Sequence, residues 1–239
     1  MSLLQLGIGT VNDIVDAPRD AGRKAGKPIP AGLVSLSAAR AAASVCFIAG
    51  IAISASVSAV TGLLAPVVIA IGLVYDLRLK GTAWSWLPFA IGIPILPVFG
   101  WAGVTGGLPG PFLLLLPAAV AAGAALAVGN ALVDVERDRA AGVSSIAIAL
   151  GPPRAWRVLV GLLASILAIA TGSVAVAGGG SVAIAAITIA GSIPLLAAIR
   201  SRAGSSALRE RAWQVEAVGL AVLAALWIAI VLVSGSIGG

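Results

Sequence analysis

Seven long apolar stretches dominate this chain, at residues 36–60, 62–75, 83–104, 112–133, 156–177, 181–199 and 214–233. Lipid offers backbone N–H and C=O groups no partner, so a chain crosses it as helices that satisfy those groups internally, each needing about 20 apolar residues. The composition agrees: 60% of residues are hydrophobic and 10% charged, where a water-soluble domain carries about a quarter charged residues. An all-α, multi-span transmembrane bundle is expected, with residues 1–239 forming a single domain. A further apolar stub at residues 2–11 is too short to span and reads as an N-terminal half-helix. Pro88, Pro94 and Pro97, with Gly92 and Gly100, predict a bend or break in the third span. Gly123, Gly129 and Gly161 read as sites of close helix packing.

A net charge of +6 raises the question of nucleic acid, and the positions of the 15 Lys and Arg answer it. All lie in alternate connections: Arg19, Arg23, Lys24, Lys27 and Arg40; Arg78 and Lys80; Arg137, Arg139, Arg154 and Arg157; Arg200, Arg202, Arg209 and Arg211. The opposite connections and the tail from Ser234 carry none. By the positive-inside rule the basic connections are cytoplasmic and the C-terminus is outside. Trp84, Trp86, Trp156 and Trp213 stand at the same ends of their spans, as interfacial anchors do. The expected partner of the basic residues is therefore the bilayer, and no nucleic acid is expected.

The chain has no His and one Cys, Cys46, which excludes Ser-His-Asp chemistry, His/Cys zinc sites and an internal disulfide. Any metal must be held by oxygen. Of nine acidic residues, six fall in two windows, NDIVDAPRD with Asp13, Asp16 and Asp20, and NALVDVERD with Asp134, Glu136 and Asp138. Both windows read Asn, three residues, Asp, three residues, Asp. Positions four apart share a helix face, so Asn12, Asp16 and Asp20 form one stripe and Asn130, Asp134 and Asp138 another. Pro18 places Asp20 past a bend. Separated carboxylate pairs without His or Cys suit Mg²⁺, which takes one or two carboxylates and completes its octahedron with water and phosphate oxygens. A diphosphate is the expected ligand. Asp13 and Glu136 point off the stripes. Asp76 reads as a solvated acid in a basic loop, Arg23, Lys24 and Lys27 as serving topology and anionic lipid, and residues 200–211 as a positive-inside loop.

NDIVDAPRD followed by KPIPAGLVS resembles the first signature of the UbiA-type intramembrane prenyltransferases, the 4-hydroxybenzoate polyprenyltransferase-like family. NALVDVERDRAAGVSSIAIALG resembles their second, and YDLRLKG, at 75–81, their aromatic-and-Lys element. The resemblance implies a helical bundle around a central cavity, active on the cytoplasmic side of the cell membrane in lipid or quinone biosynthesis. It further implies an enzyme that ionises an isoprenyl diphosphate with Mg²⁺ and passes the allylic cation to an acceptor. Carried over by position, Asp16, Asp20, Asp134 and Asp138 hold metal, Asn12 and Asn130 help to bind diphosphate, Lys80 contacts it, and Tyr75 lines the site beside the cation. Where relatives acting on aromatic acceptors carry Arg after the second Asp, this chain has Ala17, and PIPSG is PIPAG. The acceptor therefore stays open among aromatic quinone precursors, phosphorylated sugars, glycerol phosphate lipids and tetrapyrroles. The family also places one helix and most of another before the first box, so a gap in the bundle and an upstream extension are expected.

Two other classes compete. A small multi-span transporter also holds sparse carboxylates, though near the bilayer midplane. A degenerate relative would bind lipid without turnover. CDP-alcohol phosphotransferases pair Asp boxes too, but within one segment.

Overall fold

A computed structural model describes the backbone of residues 1–22, 26–108, 110 and 112–237, and the side chains of all of these but 112 and 232–237. Arg23 and Lys24 lie outside the described residues. No strand occurs among them; the fold is all-helical. The elements are α1 (Ser2–Asp20), α2 (Leu36–Val57), α3 (Ala59–Val74) with a π-helical turn (Tyr75–Leu79), α4 (Leu87–Thr105), α5 (Phe112–Val133), α6 (Val135–Ala140), α7 (Ile146–Leu150), α8 (Pro152–Val176), α9 (Ser181–Ser201) and α10 (Ser206–Ile237). Seven of these helical segments are long and apolar enough to cross a membrane.

Four helices depart from the apolar pattern for local reasons. The helix α1 runs through Pro18 to Asp20, so Asp20 stays on the helix. Pro18 removes one donor in the last turn, and the bonding resumes with Ala21 N–H donating to the Ala17 carbonyl at 3.1 Å. The helix α4 is continuous through Pro94 and Pro97, so the expected break is absent; Pro88 sits in its first turn, where no intrahelical donor is needed. Pro152 and Pro153 open α8 for the same reason, four residues before its apolar stretch. The helix α10 begins two turns before its own apolar stretch, which puts Arg209, Glu210 and Arg211 on a helix rather than in a loop.

The chain divides into two compact units, Met1–Lys80 with Ile95–Pro109, and Gly81–Pro94 with Gly110–Gly239. In the first, α1 packs on α2 and α3. Its core is Leu4, Ala65 and Val68, with Ile8, Ile69, Ile95 and Phe99 around it. Leu4 is fully buried because α2 presents Gly50 there; a Cβ at Gly50 would lie 2.5 Å from the Leu4 side chain. The tight α2–α3 turn is built by Ser58, whose Oγ accepts from the Thr61 N–H at 3.1 Å, and by Thr61, whose Oγ1 donates to the Ser54 carbonyl at 2.6 Å.

In the second unit α5, α8, α9 and α10 pack on one another. On α8, Leu159, Leu163, Ile166, Ala170 and Val174 form one buried stripe at spacings of three and four; Ile187 and Ala198 of α9 and Leu220, Leu223 and Trp227 of α10 are buried as well. Gly123 and Gly129 are close-packing sites as expected, and Gly161 is not. A Cβ at Gly123 would lie 2.2 Å from the Phe89 carbonyl oxygen, whereas nothing lies within 4 Å of one at Gly161.

The expected interfacial tryptophans have further work to do. Trp156 Nε1 donates to the Ala198 carbonyl and Trp213 Nε1 to the Leu126 carbonyl, each at 2.9 Å, tying α8 to α9 and α10 to α5. Such bonds matter in lipid because the indole N–H finds no water there. Trp84 is largely exposed.

Candidate active site

In the first unit α1 presents Asn12, Asp16 and Asp20 at intervals of one turn, and the end of α3 meets them. The five-residue π-turn beginning at Tyr75 widens the helix there and ends where Lys80 N–H donates to the Tyr75 carbonyl at 2.8 Å. It delivers two side chains to α1. Asn12 Nδ2 donates to Asp76 Oδ1 at 2.6 Å, and Lys80 Nζ donates to Asp16 Oδ2 at 2.6 Å. Each pair joins residues 64 apart in sequence. Asp20 is buried, and Tyr75 is half-buried at the head of the π-turn.

Asp76 is the residue whose reading changes. It is 5% exposed rather than solvated, and its Oδ2 is buried with no partner among the described residues. A buried carboxylate oxygen left unpaired costs on the order of 1–3 kcal/mol, so such an atom marks a place where a further group belongs. Asp13, off the stripe as expected, pairs with Lys27, whose ammonium is raised above its ordinary range chiefly by that hydrogen bond. Lys27 therefore fastens the segment after α1, beyond any contribution to topology.

In the second unit the box lies across a helix junction. The helix α5 ends at Val133, Asp134 takes φ −91° and ψ 0°, and α6 starts at Val135. The spacing of four nevertheless survives, because Asp134 N–H donates to the Asn130 carbonyl at 3.2 Å and Asp138 N–H to the Asp134 carbonyl at 2.8 Å. Burial pushes the Asp134 carboxyl above its usual range; Arg137, with Nη2 at 2.6 Å from Asp134 Oδ2, opposes this, and Asp138 and Glu210 add to it. Glu210 thus lies close enough for Asp134 to feel its charge, although nothing in the sequence places it near either box. Glu136 turns away from the stripe and pairs with Arg209 of α10.

No group of three or more acidic, His or Cys side chains closes on one point among the described residues. The donors present are hard oxygens, with one buried and unpaired at Asp76. That set fits Mg²⁺, which draws much of its shell from water and phosphate oxygens, and would not make a zinc cage. The sequence reading misplaced Asp76 and passed over Glu216, 2% exposed within α10. Its signal was available: it is an acid inside an apolar stretch, and ionisable residues there are seldom incidental.

Comparison with known proteins bears on the whole chain. The model of the UbiA prenyltransferase family matches residues 1–217. The digeranylgeranylglyceryl phosphate synthase of Methanopyrus kandleri is 32% identical over 155 residues, covering 64% of this chain and 56% of that protein. The synthase of the same name from Methanoculleus marisnigri is 31% identical over 153 residues, 63% of this chain and 54% of its own. The aligned region thus spans little more than half the length of these relatives. A UbiA homologue from Aeropyrum pernix K1, solved without ligand, superposes with a TM-score of 0.69 at 24% identity, covering 97% of this chain and 85% of its own. A UbiA homologue from Archaeoglobus fulgidus bound to DMAPP and Mg²⁺ gives 0.70 at 18% identity, over 97% of this chain and 87% of its own. At these identities the structures establish a shared fold. The family match over most of the chain, together with the seven apolar helices, makes this an integral membrane protein that belongs to the UbiA prenyltransferase family.

Proposed function

We propose that this chain transfers an isoprenyl group from an isoprenyl diphosphate to an acceptor in the membrane, working as one domain with Mg²⁺. The observation that carries the reading is the junction of α1 with the π-turn, where Asn12, Asp16, Asp76 and Lys80 meet in two hydrogen-bonded pairs. Asp16 and Asp20 in one box, and Asp134 and Asp138 in the other, would hold Mg²⁺, with Asn12 and Asn130 on diphosphate oxygens. When bound, the metal neutralises charge on the diphosphate.

The protein's own groups do the rest. Lys80 needs only to turn its ammonium from Asp16 toward the diphosphate to stabilise the negative charge that grows as the carbon–oxygen bond breaks. Asp16 holds that ammonium in place by its hydrogen bond. Tyr75, on the same turn, offers a π-face to the allylic cation. Apolar helices keep water from the cation, which decides whether the product is prenylated or hydrolysed. All 15 cationic residues stand on one set of connections, which supports an active site on the cytoplasmic side and a C-terminus outside.

For the acceptor, a glyceryl phosphate lipid is the first to test, because both curated relatives are named for making one. Membranes bearing the chain would be incubated with radiolabelled prenyl diphosphate and a panel of glyceryl phosphate, aromatic, sugar phosphate and tetrapyrrole acceptors. Label in one lipid product, lost in Asp16→Asn, is expected. Release of free prenol alone, or no turnover with binding retained, would overturn the transferase in favour of a lipid-binding relative. Movement of ions without turnover would favour a transporter.

A further inference from the structure

We propose that a cavity in the second unit, among α5, α6, α8, α9 and α10, binds a phosphate-bearing anion that also carries a hydroxyl. The cavity is about 170 Å³, far more than one water needs, and neither Asp134 nor Asp138 lines it. Its polar lining is three arginines, Arg139, Arg202 and Arg209, two acids, Glu136, which pairs with Arg209, and the buried Glu216, and Ser201; Trp156 and Trp213 wall it. Both indole N–H groups are spent on helix carbonyls, so the rings serve as rigid sides. Arg202 lies over the Trp156 ring, 4.8 Å from its centre.

Two unsatisfied atoms define what the cavity takes. Arg209 gives Nη1 to the Gly204 carbonyl and Nη2 to Glu136, yet its Nε is buried with no acceptor among the described residues. Glu216 is 2% exposed and its Oε2 has no donor among the same residues. A donor without an acceptor and an acceptor without a donor line one space. They do not satisfy each other, because on α10 they stand seven residues apart, about 10 Å along the axis, with Trp213 between them on the same face. A ligand that bridges them must accept at one end and donate at the other. The Arg209 end, with Arg139 and Arg202 also lining the space, calls for an anion, and phosphate is the acceptor that guanidinium forks match. The Glu216 end calls for a hydroxyl. A hydroxyl-bearing anionic lipid headgroup has both, as does hydrogen phosphate free in solution; basic pockets at helix ends are a recurrent site of acidic lipids.

The test uses the full chain in nanodiscs of phosphatidylcholine alone or in equal parts with phosphatidylglycerol, with retained lipid counted by native mass spectrometry. Arg139 is exposed and has no partner among the described residues, so Arg139→Gln leaves the fold intact. It should weaken phosphatidylglycerol retention about tenfold, the scale of one charge-assisted hydrogen bond. Glu216→Gln keeps an acceptor and should retain the lipid, whereas Glu216→Leu should lose it. Arg157→Gln, an equal change of charge outside the cavity, should leave retention unchanged. A second arm replaces the lipid by inorganic phosphate. Displacement or binding that depends on Arg139 in this arm alone identifies free phosphate as the source. Equal loss in Arg139→Gln and Arg157→Gln, or no dependence on Arg139 in either arm, overturns the site and leaves ordered water bridging Arg209 and Glu216.

Discussion

Replacing Gly123 by Ala tests whether α5 is seated against the segment that contains Phe89 by backbone contact. The added Cβ would lie 2.2 Å from the Phe89 carbonyl oxygen, 2.7 Å from its carbon and 3.0 Å from the Ala90 Cα. Ordinary contact begins at 3.4 Å, so the two backbones must part by 1.2 Å, the difference between 3.4 and 2.2. All three atoms are backbone, so no rotamer change relieves the clash. Overpacking of this kind costs about 1–3 kcal/mol. For a chain of this size each kcal/mol lowers Tm by about 2–4 °C, so a fall of roughly 2–12 °C is expected. The assay is thermal unfolding in detergent, with Gly161→Ala as the matched control. No atom lies within 4 Å of that Cβ, and Ala is the better helix former by about 1 kcal/mol, so the control should hold or raise Tm. Gly123 also lies two turns before Asn130 on the same face, so the shift should reach the second box and lower activity. Equal Tm values for the two variants would refute the close approach.

Asp16→Asn and Asp134→Asn should each reduce transfer on the order of a hundredfold or more with folding retained, and chelation by EDTA should abolish it in the parent chain, measured with labelled prenyl diphosphate. Arg154→Gln is the control; Glu210 is unsuitable because Asp134 feels its charge. Asp134 also predicts a pH dependence. Its carboxyl is raised from 3.8 in the fold, so the ionised form is penalised at neutral pH and the penalty is absent below the unfolded value. Asp134→Asn should therefore unfold at a higher temperature than the parent at pH 7, and the difference should vanish as the pH falls through the folded pKa toward 3.8. Trp227→Phe removes the 2.7 Å bond from Nε1 to Ser173 Oγ between α10 and α8. It should cost about 0.5–1.5 kcal/mol, and an unchanged unfolding temperature would show that the bond is idle.

The seven spans and the two boxes were legible in the sequence because both depend on local quantities. A span is a length of apolar chain, and a spacing of four residues returns to one helix face whatever the helix packs on. The second box shows how robust this is: a helix junction at Asp134 leaves the spacing of four intact. Burial is different, because it belongs to neighbours. Asp76 sits among Arg78 and Lys80 in the sequence and reads as solvated, yet Asn12 of α1, 64 residues away, closes over it. Lys80 reaches Asp16 across the same separation, which no local pattern encodes. Gly123 and Gly161 are both glycines in apolar helices, and only the Phe89 backbone beside one of them makes it indispensable. Arg209 and Glu216 read as a loop cation and an unremarked acid until α10 extends past its apolar stretch and aligns them on one face. Hydrophobic length and helical period are properties of a segment alone, whereas the desolvation of a charge and the room for a methyl group are set by the segments packed against it.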